Sequence, residues 1–405
     1  MRLDGRRFQC RQALGISLHS PGHAALCDFP PRSSCSPSPS LASVRHRAPA
    51  RAPPPTRRDA SRRACNPSST RSSAAPLPSG DHPLRRSAAP LPRLARCGGV
   101  ADRATKAPLS AQHPTRIASN TKTYTAAAIL RLMEMGKLSL DDPVTKHVPA
   151  ADLASLRRDG YDLDRITIAH LLSHTGGLYD YAMDARFAPI IFRDPTHRWT
   201  RAEQVDSAVV WGAPYNAPGA GYHYTDTGYI LLGQIVERLS AQGLAEAFRS
   251  LLHYDALGLR ATWLETLEPR PATTIDLAHQ YFDSTDTRGI DPSFDLYGGG
   301  GLAATTGDMA RFTRALFVGG VYAKPSTITT MTTIPAGIAG ERAYALGIYR
   351  QQVAGEVLWG HTGFWNTFSF HIPAKDVTIA GTITLQGRSA VARALLTSAV
   401  EAVVK

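Results

Sequence analysis

The sequence Ile117-Ala118-Ser119-Asn120-Thr121-Lys122-Thr123-Tyr124 leads directly into an apolar stretch that runs from Thr125 to Gly136. This stretch is apolar on nearly every face and Gly136 supplies a C-terminal stop, so it predicts a buried helix. If Ser119 opens that helix, Ser119 and Lys122 share one face, with the hydroxyl at the positive end of the helix dipole. A deprotonated amine there can take the hydroxyl proton, as a nucleophilic serine requires. A capping serine followed by a solvated lysine is the commoner interpretation of S-x-x-K alone.

Two later segments favour the chemical interpretation. A glycine-rich loop over residues 218–228 carries Tyr224-Thr225-Asp226 just before an apolar helix, where a phenol can point into a cleft. The alternating sequence Glu356-Val357-Leu358-Trp359 predicts a strand that runs into Gly360-His361-Thr362-Gly363. The histidine and threonine on such an edge can hold a carboxylate or carbonyl group, and the last glycine lets a substrate approach the backbone.

With these three segments, the chain from about Thr115 to its C-terminus resembles the serine β-lactamase and penicillin-binding-protein-like hydrolases. The branch it resembles holds class C β-lactamases, D,D-carboxypeptidases, D-aminopeptidases and related esterases. In the family's order, Ser119–Lys122 matches S-x-x-K, Tyr224–Asp226 matches Y-x-N and His361–Gly363 matches K-T-G. Three connecting segments are also family-like: residues 136–144, 166–178 and 298–302.

The resemblance assigns roles to these residues. It implies that Ser119 is the acylated nucleophile, Lys122 the proton acceptor, and Tyr224 the relay of protons to and from the leaving group and water. The oxyanion hole is then formed by the backbone N–H groups of Ser119 and Phe364, if the helix start and the strand face one another. The implied substrate-binding residues are Asp226, His361, Thr362 and Gly363.

Two residues depart from the family pattern. Asp226 stands in place of asparagine, so a group that donates a hydrogen bond is replaced by one that, when ionised, only accepts. His361 replaces the lysine of K-T-G, which removes a permanent charge that would hold the carboxylate of a penicillin and leaves a charge that depends on pH. We therefore expect a serine hydrolase that cleaves an amide, ester or D-amino-acid peptide bond and is at most a weak β-lactamase.

The remaining motifs predict no further site. His174-Thr175-Gly176 repeats H-T-G, but it follows a helical stretch and precedes the tyrosine segment, so we interpret it as a structural loop. Gly298 to Gly301 is not followed by the Lys-Ser/Thr of a phosphate-binding loop. The sequence contains no set of residues with metal-ligand spacing, and we expect no cofactor. The expected partner is a small-molecule or peptide substrate.

Residues 1–114 differ in composition from the rest of the chain. They hold 19 Lys and Arg against 5 Asp and no Glu, whereas residues 115–405 hold 26 basic against 28 acidic residues. The net charge of +12 therefore belongs to the first segment and does not support a nucleic-acid-binding function for the rest. The first segment also holds all five cysteines, in neither a zinc nor a disulfide pattern, and 17 of the 29 prolines. We expect this Arg/Pro/Ser-rich segment to be disordered.

Three interpretations of residues 1–114 stay open: a targeting sequence, a basic interaction tail, or upstream or out-of-frame coding sequence of high G+C content, which we favour. The sequence contains no recognisable secretory signal and no apolar run long enough for a transmembrane segment. The compartment is left open, although members of the resembled family are often exported to the periplasm or secreted.

The resemblance implies an α/β (α+β) fold of the β-lactamase/transpeptidase type, with an antiparallel sheet flanked by helices. A mainly helical subdomain is expected at roughly 123–300 and a sheet-forming region at roughly 301–405, both within a domain spanning 115–405. Strands are predicted at 344–353, 356–360, 366–372 and 377–385, and a closing helix at 390–404.

Relatives normally place a helix and a hairpin before S-x-x-K, and residues 1–114 lack the alternation to supply them. We therefore expect both to be missing and the strand at 377–385 to be unpaired. A catalytically silent, truncated member with a binding role is the alternative to a hydrolase, motivated by these missing strands and by Asp226 in place of asparagine. Removal of residues 1–110 is expected to leave any activity unchanged.

Overall fold

The computed structural model describes residues 14–19 and 93–404, except residues 339 and 341. Its strands are β1 (Leu14–His19), β2 (Arg93–Gly98), β3 (Thr115–Arg116), β4 (Thr262–Leu264), β5 (Tyr281–Phe282), β6 (Thr285–Asp286), β7 (Leu302–Ala304), β8 (Arg342–Tyr344), β9 (Tyr349–Val353), β10 (Glu356–Thr362), β11 (Phe368–Ile372) and β12 (Val377–Ile383). Its helices are α1 (Thr121–Glu134), α2 (Val144–His147), α3 (Ala154–Arg158), α4 (Ile168–Leu172), α5 (Phe187–Arg193), α6 (Arg201–Trp211), α7 (Asp226–Ser240), α8 (Leu244–Leu251), α9 (Tyr254–Leu257), α10 (Thr306–Val318), α11 (Ser326–Met331) and α12 (Ser389–Val404). Of the helices in these described ranges, none is long and apolar enough to cross a membrane.

Seven strands form an antiparallel sheet in the order β2-β1-β12-β11-β10-β9-β8. Strand β12 is buried along its whole length because helices cover both faces of the sheet there. Since successive side chains of a strand point to opposite faces, Ile379 and Ile383 pack with α12 whereas Ala380 joins the main core on the α10 side. The predicted strands and closing helix correspond to β8–β12 and α12. The predicted strand at 344–353 is divided into β8 and β9 by a turn at Gly347, whose φ is +77°.

Helix α1 lies in the centre of the main core. Eleven of its fourteen residues are buried, which explains why its sequence is apolar on nearly every face. Helices α7 and α8 pack against it, and Ala126, Ala127 and Ala128 are among its core residues. Helices α1–α9 lie between residues 121 and 257. The range predicted to be mainly helical was roughly 123–300, so only the first two residues of α1 precede it.

A small three-stranded sheet in the order β3-β7-β4 holds the chain immediately before Ser119. Arg116 in β3 forms a buried ion pair with Glu265, with Nε and Oε2 2.8 Å apart, and its guanidinium also donates to the backbone oxygen of Ile290 at 2.9 Å. A buried arginine with its donors paired resists displacement, because breaking the pair would leave a charge unpaired in the interior. These contacts tie the start of α1 to the loop around Ile290.

The expectation of a missing hairpin is wrong. Strand β1 pairs antiparallel with both β12 and β2, from Leu14 opposite Ile383 to His19 opposite Thr378. The strand predicted to be unpaired is therefore an interior strand. Sequence reasoning missed the hairpin because residues 20–92 separate its two strands, so no short turn signal links them, and ladder pairing needs only backbone groups. The predicted absence of an N-terminal helix concerns residues outside the described ranges.

The fold also begins before the predicted boundary at residue 115. Ala101 and Leu109 form a small apolar cluster with Ala278, and the backbone oxygen of Ala101 accepts a hydrogen bond of 2.7 Å from the N–H of His279. Residues 93–114 thus pack on the domain that the sequence analysis begins at Thr115. Disorder was also predicted for residues 1–92. Apart from β1, these residues lie outside the part of the chain that the structure describes.

Deleting residues 1–98 is expected to destabilise the protein. The deletion removes β1 and β2 and exposes the backbone edge of β12, so we expect lower solubility and a melting temperature lower by several degrees. Thermal unfolding and sedimentation velocity measure both effects. A chain that lacks only residues 1–13 is the control. It is shorter but keeps β1 and β2, so its melting temperature should stay near that of the full chain. Equal melting temperatures for the full chain and the 1–98 deletion would contradict the role given to the hairpin.

Candidate active site

Ser119 lies in a short 3-10 turn, Ala118–Asn120, that runs directly into α1. Lys122 is in the first turn of α1, and its Nζ donates a hydrogen bond of 3.1 Å to Ser119 Oγ. The residue before the serine, Ala118, has a φ of +45°, which is uncommon for a residue other than glycine. Strain of this kind is typical of functional sites, where the surrounding structure imposes it. The contact predicted from S-x-x-K is therefore present.

Lys122 is completely buried. Besides Ser119, its Nζ donates to the backbone oxygen of Gly299 at 2.9 Å and forms an ion pair with Asp226. Its charge also lies over the ring of Tyr224, with Nζ 4.9 Å from the ring centroid. A side chain with every donor directed at a partner has one defined position, so the amine is held at the serine hydroxyl.

Asp226, the first residue of α7, belongs to a group of three carboxyl groups around Lys122. The backbone N–H of Asp226 donates to Asp180 Oδ1 at 3.1 Å, and Asp180 Oδ2 is buried with no partner among the described residues. Burial first, then the Asp226 carboxylate, raises the pKa of Asp180 to about 7. The same two causes raise the pKa of Asp295 to about 7. Near neutral pH the group therefore retains protons that isolated aspartates would have lost.

Sequence reasoning missed Asp180 and Asp295, because neither belongs to a motif. The glycine run offered an indirect signal. A Cβ on Gly299 would lie 2.6 Å from Asp226 Oδ1, and one on Gly300 would lie 2.1 Å from Asp295 Oδ1. The carboxyl groups approach the backbone of this run so closely that side chains would not fit there. This close approach, rather than phosphate binding, explains the glycines.

Tyr224 is placed against the lysine and the serine. Burial first, and the Asp226 carboxylate second, raises the pKa of Tyr224 well above its usual range, whereas a side-chain hydrogen bond with Ser119 lowers it. The phenol therefore stays protonated at neutral pH. The ring of His174 packs on that of Tyr224 with centroids 4.2 Å apart. The H-T-G segment interpreted as a structural loop thus supports the tyrosine, through a histidine in a left-handed turn with a φ of +58°.

His361 at the end of β10 is buried and neutral. Its Nδ1 lies 2.6 Å from the backbone oxygen of Thr362, and its Nε2 lies 3.1 Å from the hydroxyl of Tyr344. Because a carbonyl oxygen only accepts, Nδ1 carries the hydrogen and Nε2 accepts from the tyrosine. Burial, followed by the Lys122 charge, lowers the pKa of His361 well below its usual range. The pH-dependent charge expected at this position is therefore absent at neutral pH.

A positive charge nevertheless lies at this edge of the site. Arg342 in β8 donates to Thr362 Oγ1 at 2.9 Å, and its guanidinium lies 3.8 Å from the centroid of the Tyr349 ring. Sequence reasoning missed this arginine because β8 and β10 are separated along the chain and are placed close together only by the sheet.

Gly363 allows the end of β10 to approach the start of α1. A Cβ on Gly363 would lie 2.3 Å from the backbone oxygen of Ile117, so any side chain would push the two elements apart. Asn120 holds them together through its Nδ2, which donates to Thr367 Oγ1 at 2.9 Å. Among the residues that the structure describes, the N–H of Phe364 has no hydrogen-bond acceptor. An N–H without a partner is available to bind an oxyanion.

The predicted site residues converge on one cavity of about 510 Å³. Lys122 lies behind its wall, and the other seven line it: Ser119, Tyr224, Asp226, His361, Thr362, Gly363 and Phe364. Within the described ranges, no three His, Cys, Asp or Glu side chains are close enough together to hold a metal ion. The arrangement presents a hydroxyl in contact with a buried amine, a neutral phenol and a free backbone donor, which are the groups needed for attack on a carbonyl carbon.

Comparison with known proteins gives consistent matches. A family model described as Beta-lactamase matches residues 92–403. Penicillin-binding protein 4* of Bacillus subtilis (strain 168) is 26% identical over 286 residues, which cover 67% of this chain and 60% of that protein. Esterase EstB of Burkholderia gladioli is 33% identical over 180 residues, covering 43% of this chain and 44% of the esterase. The chain thus spans less than two thirds of the length of these two curated relatives.

Solved structures match over a larger share of the chain. A D-stereospecific amidohydrolase from Streptomyces sp. is 25% identical with a TM-score of 0.63, covering 73% of this chain and 87% of that protein. A D-amino acid amidase from Ochrobactrum anthropi SV3, complexed with D-phenylalanine, is 21% identical with a TM-score of 0.64. The match covers 77% of this chain and 90% of the amidase. The second likeness establishes the fold alone, which is the β-lactamase/transpeptidase fold expected from the sequence.

Proposed function

Because this chain belongs to the β-lactamase family of serine hydrolases, we propose that it cleaves an amide or ester bond through an acyl-enzyme formed on Ser119. The observation that carries the proposal is the hydrogen bond of 3.1 Å between Lys122 Nζ and Ser119 Oγ at the wall of the cavity. Burial of the amine excludes water from this contact, so the hydroxyl has one defined proton acceptor once Lys122 passes a proton of its own to Asp226. The esterase and amidohydrolase relatives agree with this reaction class.

Acylation begins when Ser119 Oγ bonds to the substrate carbonyl carbon. Lys122 takes the serine proton and passes one of its own to Asp226, whose carboxylate is its ion-pair partner. This relay gives Asp226 a function that asparagine in its place could not have, because an amide does not accept that proton. In this proposal Asp226 acts on the lysine, in addition to lining the substrate cavity.

The leaving group departs when Tyr224 gives its proton to the leaving oxygen or nitrogen and the bond to the carbonyl carbon breaks. Lys122 then reprotonates Tyr224 and recovers its proton from Asp226, so the serine proton ends on the alcohol or amine. Hydrolysis of the acyl-enzyme reverses this path: water bonds to the carbonyl carbon and gives up a proton, the bond between that carbon and Ser119 Oγ breaks, the proton is returned to Oγ, and the carboxylic acid leaves.

The negative charge that develops on the carbonyl oxygen needs donors that are already in place. The N–H groups of Ser119 and Phe364 are proposed for this role. The close approach at Gly363 and the hydrogen bond between Asn120 and Thr367 hold the two backbone segments at a set distance. Preorganised donors are effective because they need no reorientation as the charge develops.

The alternative of a silent, truncated member rested on Asp226 and on the missing hairpin. Since β1 and β2 complete the sheet and Asp226 pairs with the lysine, neither observation now favours silence. Penicillin recognition stays weak in this proposal because His361 is neutral and Asp226 repels a carboxylate. Arg342, which lines the cavity and donates to Thr362, is a cation that can offset part of that repulsion.

The test is intact-mass measurement of purified protein after exposure to a fluorophosphonate and, separately, to a penicillin. We expect one fluorophosphonate adduct per chain, its absence in Ser119→Ala, and slower or no labelling by the penicillin. A folded Ser119→Ala protein that is still labelled, or a folded wild-type protein that is not labelled by either reagent, would refute the proposal.

A further inference from the structure

The cavity beside Ser119 has a polar end and an apolar end. The polar end holds Tyr224, Asp226 and His361. The apolar end is walled by helix α5 and the segment at residues 290–294, which contribute the buried side chains of Phe187, Ile191 and Ile290. A concave, largely apolar wall next to polar groups is the usual form of a site that binds a small molecule.

The mouth of the apolar end carries large side chains that water reaches. Of the nine large hydrophobic residues exposed in the described part of the chain, three line this cavity: Met183 (72% exposed), Phe192 (36%) and Phe364 (44%). Phe282 bridges two of them, with its ring centroid 5.1 Å from that of Phe192 and 6.2 Å from that of Phe364. Exposed apolar side chains clustered at one opening are typical of a binding site, because leaving them in water is costly.

We infer that this aromatic mouth receives an apolar, ring-containing acyl group of the substrate, since Phe192, Phe282 and Phe364 meet at the opening beside Ser119. The inference rests on the proposed function and names the class of substrate: esters or amides of arylalkanoic acids. An aromatic ring fits best because the three phenylalanine rings offer both faces and edges for offset or edge-to-face contact.

The acyl side of the substrate is assigned from two aromatic groups, one around Tyr224 and one around Phe364, which both line the cavity. One group surrounds Tyr224, which contacts His174, Tyr344 and His361. The other surrounds Phe364, which contacts Phe282 and Trp365. The leaving atom takes its proton from Tyr224 and so lies at the first group. The Phe364 N–H binds the carbonyl oxygen, which places the acyl group at the second.

The test compares kcat/KM for 4-nitrophenyl 3-phenylpropanoate and 4-nitrophenyl acetate, two esters with the same leaving group. We expect the phenylpropanoate to be preferred roughly 30-fold, as burial of one phenyl ring predicts. Benzyl acetate and ethyl acetate form the reverse pair, which places the ring on the leaving group, and we expect a preference below about threefold there. If the enzyme prefers benzyl acetate to ethyl acetate but does not prefer the phenylpropanoate to 4-nitrophenyl acetate, the mouth does not bind the acyl group and the inference is wrong.

Substitutions of Phe192 and Phe282 test whether the aromatic mouth causes the preference for the phenylpropanoate ester. Phe192→Ala and Phe282→Ala are each expected to lower the phenylpropanoate-to-acetate ratio by roughly three- to tenfold, because each removes one wall of the ring site. Leu267→Ala is the matched control, since Leu267 is also apolar and exposed (38%) but does not line the cavity. A wild-type ratio near one, or the same ratio in all three variants, would refute the inference.

A binding measurement separates this inference from the proposed function. In Ser119→Ala, which cannot form the acyl-enzyme, calorimetric titration should show tighter binding of 3-phenylpropanamide than of propanamide. The difference should shrink when Phe192→Ala is added. If the wild-type protein neither turns over esters nor is labelled, the proposed function fails, and the titration still decides whether the mouth binds aromatic groups. Equal binding of the two amides would overturn the inference.

Discussion

Replacing Ser119 by alanine is expected to lower kcat/KM for 4-nitrophenyl acetate by about 10³- to 10⁵-fold, to the level of the residual binding and oxyanion contributions. The reason is that the hydroxyl is the only group of the site that the proposed mechanism uses to bond to the carbonyl carbon. Its partner Lys122 is buried behind the cavity wall and cannot attack in its place. Initial rates at low substrate concentration, with active-site titration of the wild-type protein, measure the loss.

Two controls make this result specific. Ser326→Ala, at an exposed serine that does not line the cavity, should leave kcat/KM within about twofold of the wild-type value. The melting temperature of Ser119→Ala should change little, because removal of one partly exposed hydroxyl creates no large cavity. A Ser119→Ala protein that keeps more than a tenth of the wild-type kcat/KM would rule out the serine as nucleophile.

Replacing Lys122 by methionine is expected to impair both stability and turnover. Methionine is close to lysine in length, so packing is largely kept, but the ion pair with Asp226 and the bond to the Gly299 oxygen are lost. Removing one partner of a buried ion pair costs about 3–5 kcal/mol of the free energy of unfolding. The proton path from Ser119 is lost as well, so kcat/KM should fall by about 10³-fold or more.

The stability loss in Lys122→Met should depend on pH. Burial and the Asp226 carboxylate raise the pKa of Asp180 and Asp295 to about 7 even though the Lys122 charge lowers both, so removal of that charge raises both pKa values further. A carboxyl group whose pKa is raised in the folded state costs no stability below its unfolded pKa and costs progressively more as pH rises through its folded pKa. The deficit of the variant should therefore be smallest near pH 5 and increase through pH 7 to pH 9.

Urea unfolding of both proteins at pH 5, 7 and 9 measures this dependence. Lys146→Met is the matched control, because Lys146 also pairs with an aspartate, Asp142, but its side chain is 58% exposed. An exposed pair contributes at most about 1 kcal/mol, so the control should lose little stability at any of these pH values. A Lys122→Met deficit no larger than that of Lys146→Met, or one that shrinks as pH rises, would contradict the proposed charge balance.

Local sequence features predicted much of the fold and of the site. Ser119 and Lys122 are three residues apart on a chain whose apolar pattern is helical, so their contact follows from helix geometry alone. The alternation of residues 356–359 predicted β10, and the candidate strands at 366–372 and 377–385 correspond to β11 and β12. The order and spacing of the three motifs were sufficient to indicate the family.

Longer-range pairings were not predictable in the same way. Strands β1 and β2 are separated by residues 20–92, and β1 is held by backbone hydrogen bonds to β12, which carry no side-chain signature. Asp180, Asp295 and Arg342 carry no motif, and each reaches the site from a different part of the chain.

By itself, the sequence determined that this chain has a β-lactamase-type fold and that Ser119, Lys122 and Tyr224 form its candidate catalytic group. Only the tertiary structure decided that the sheet has its N-terminal hairpin, that His361 is neutral and that Asp226 pairs with Lys122. The physical reason is the range of the interactions. Helix and strand periodicity act between near neighbours, whereas burial and charge depend on which distant segments surround a residue.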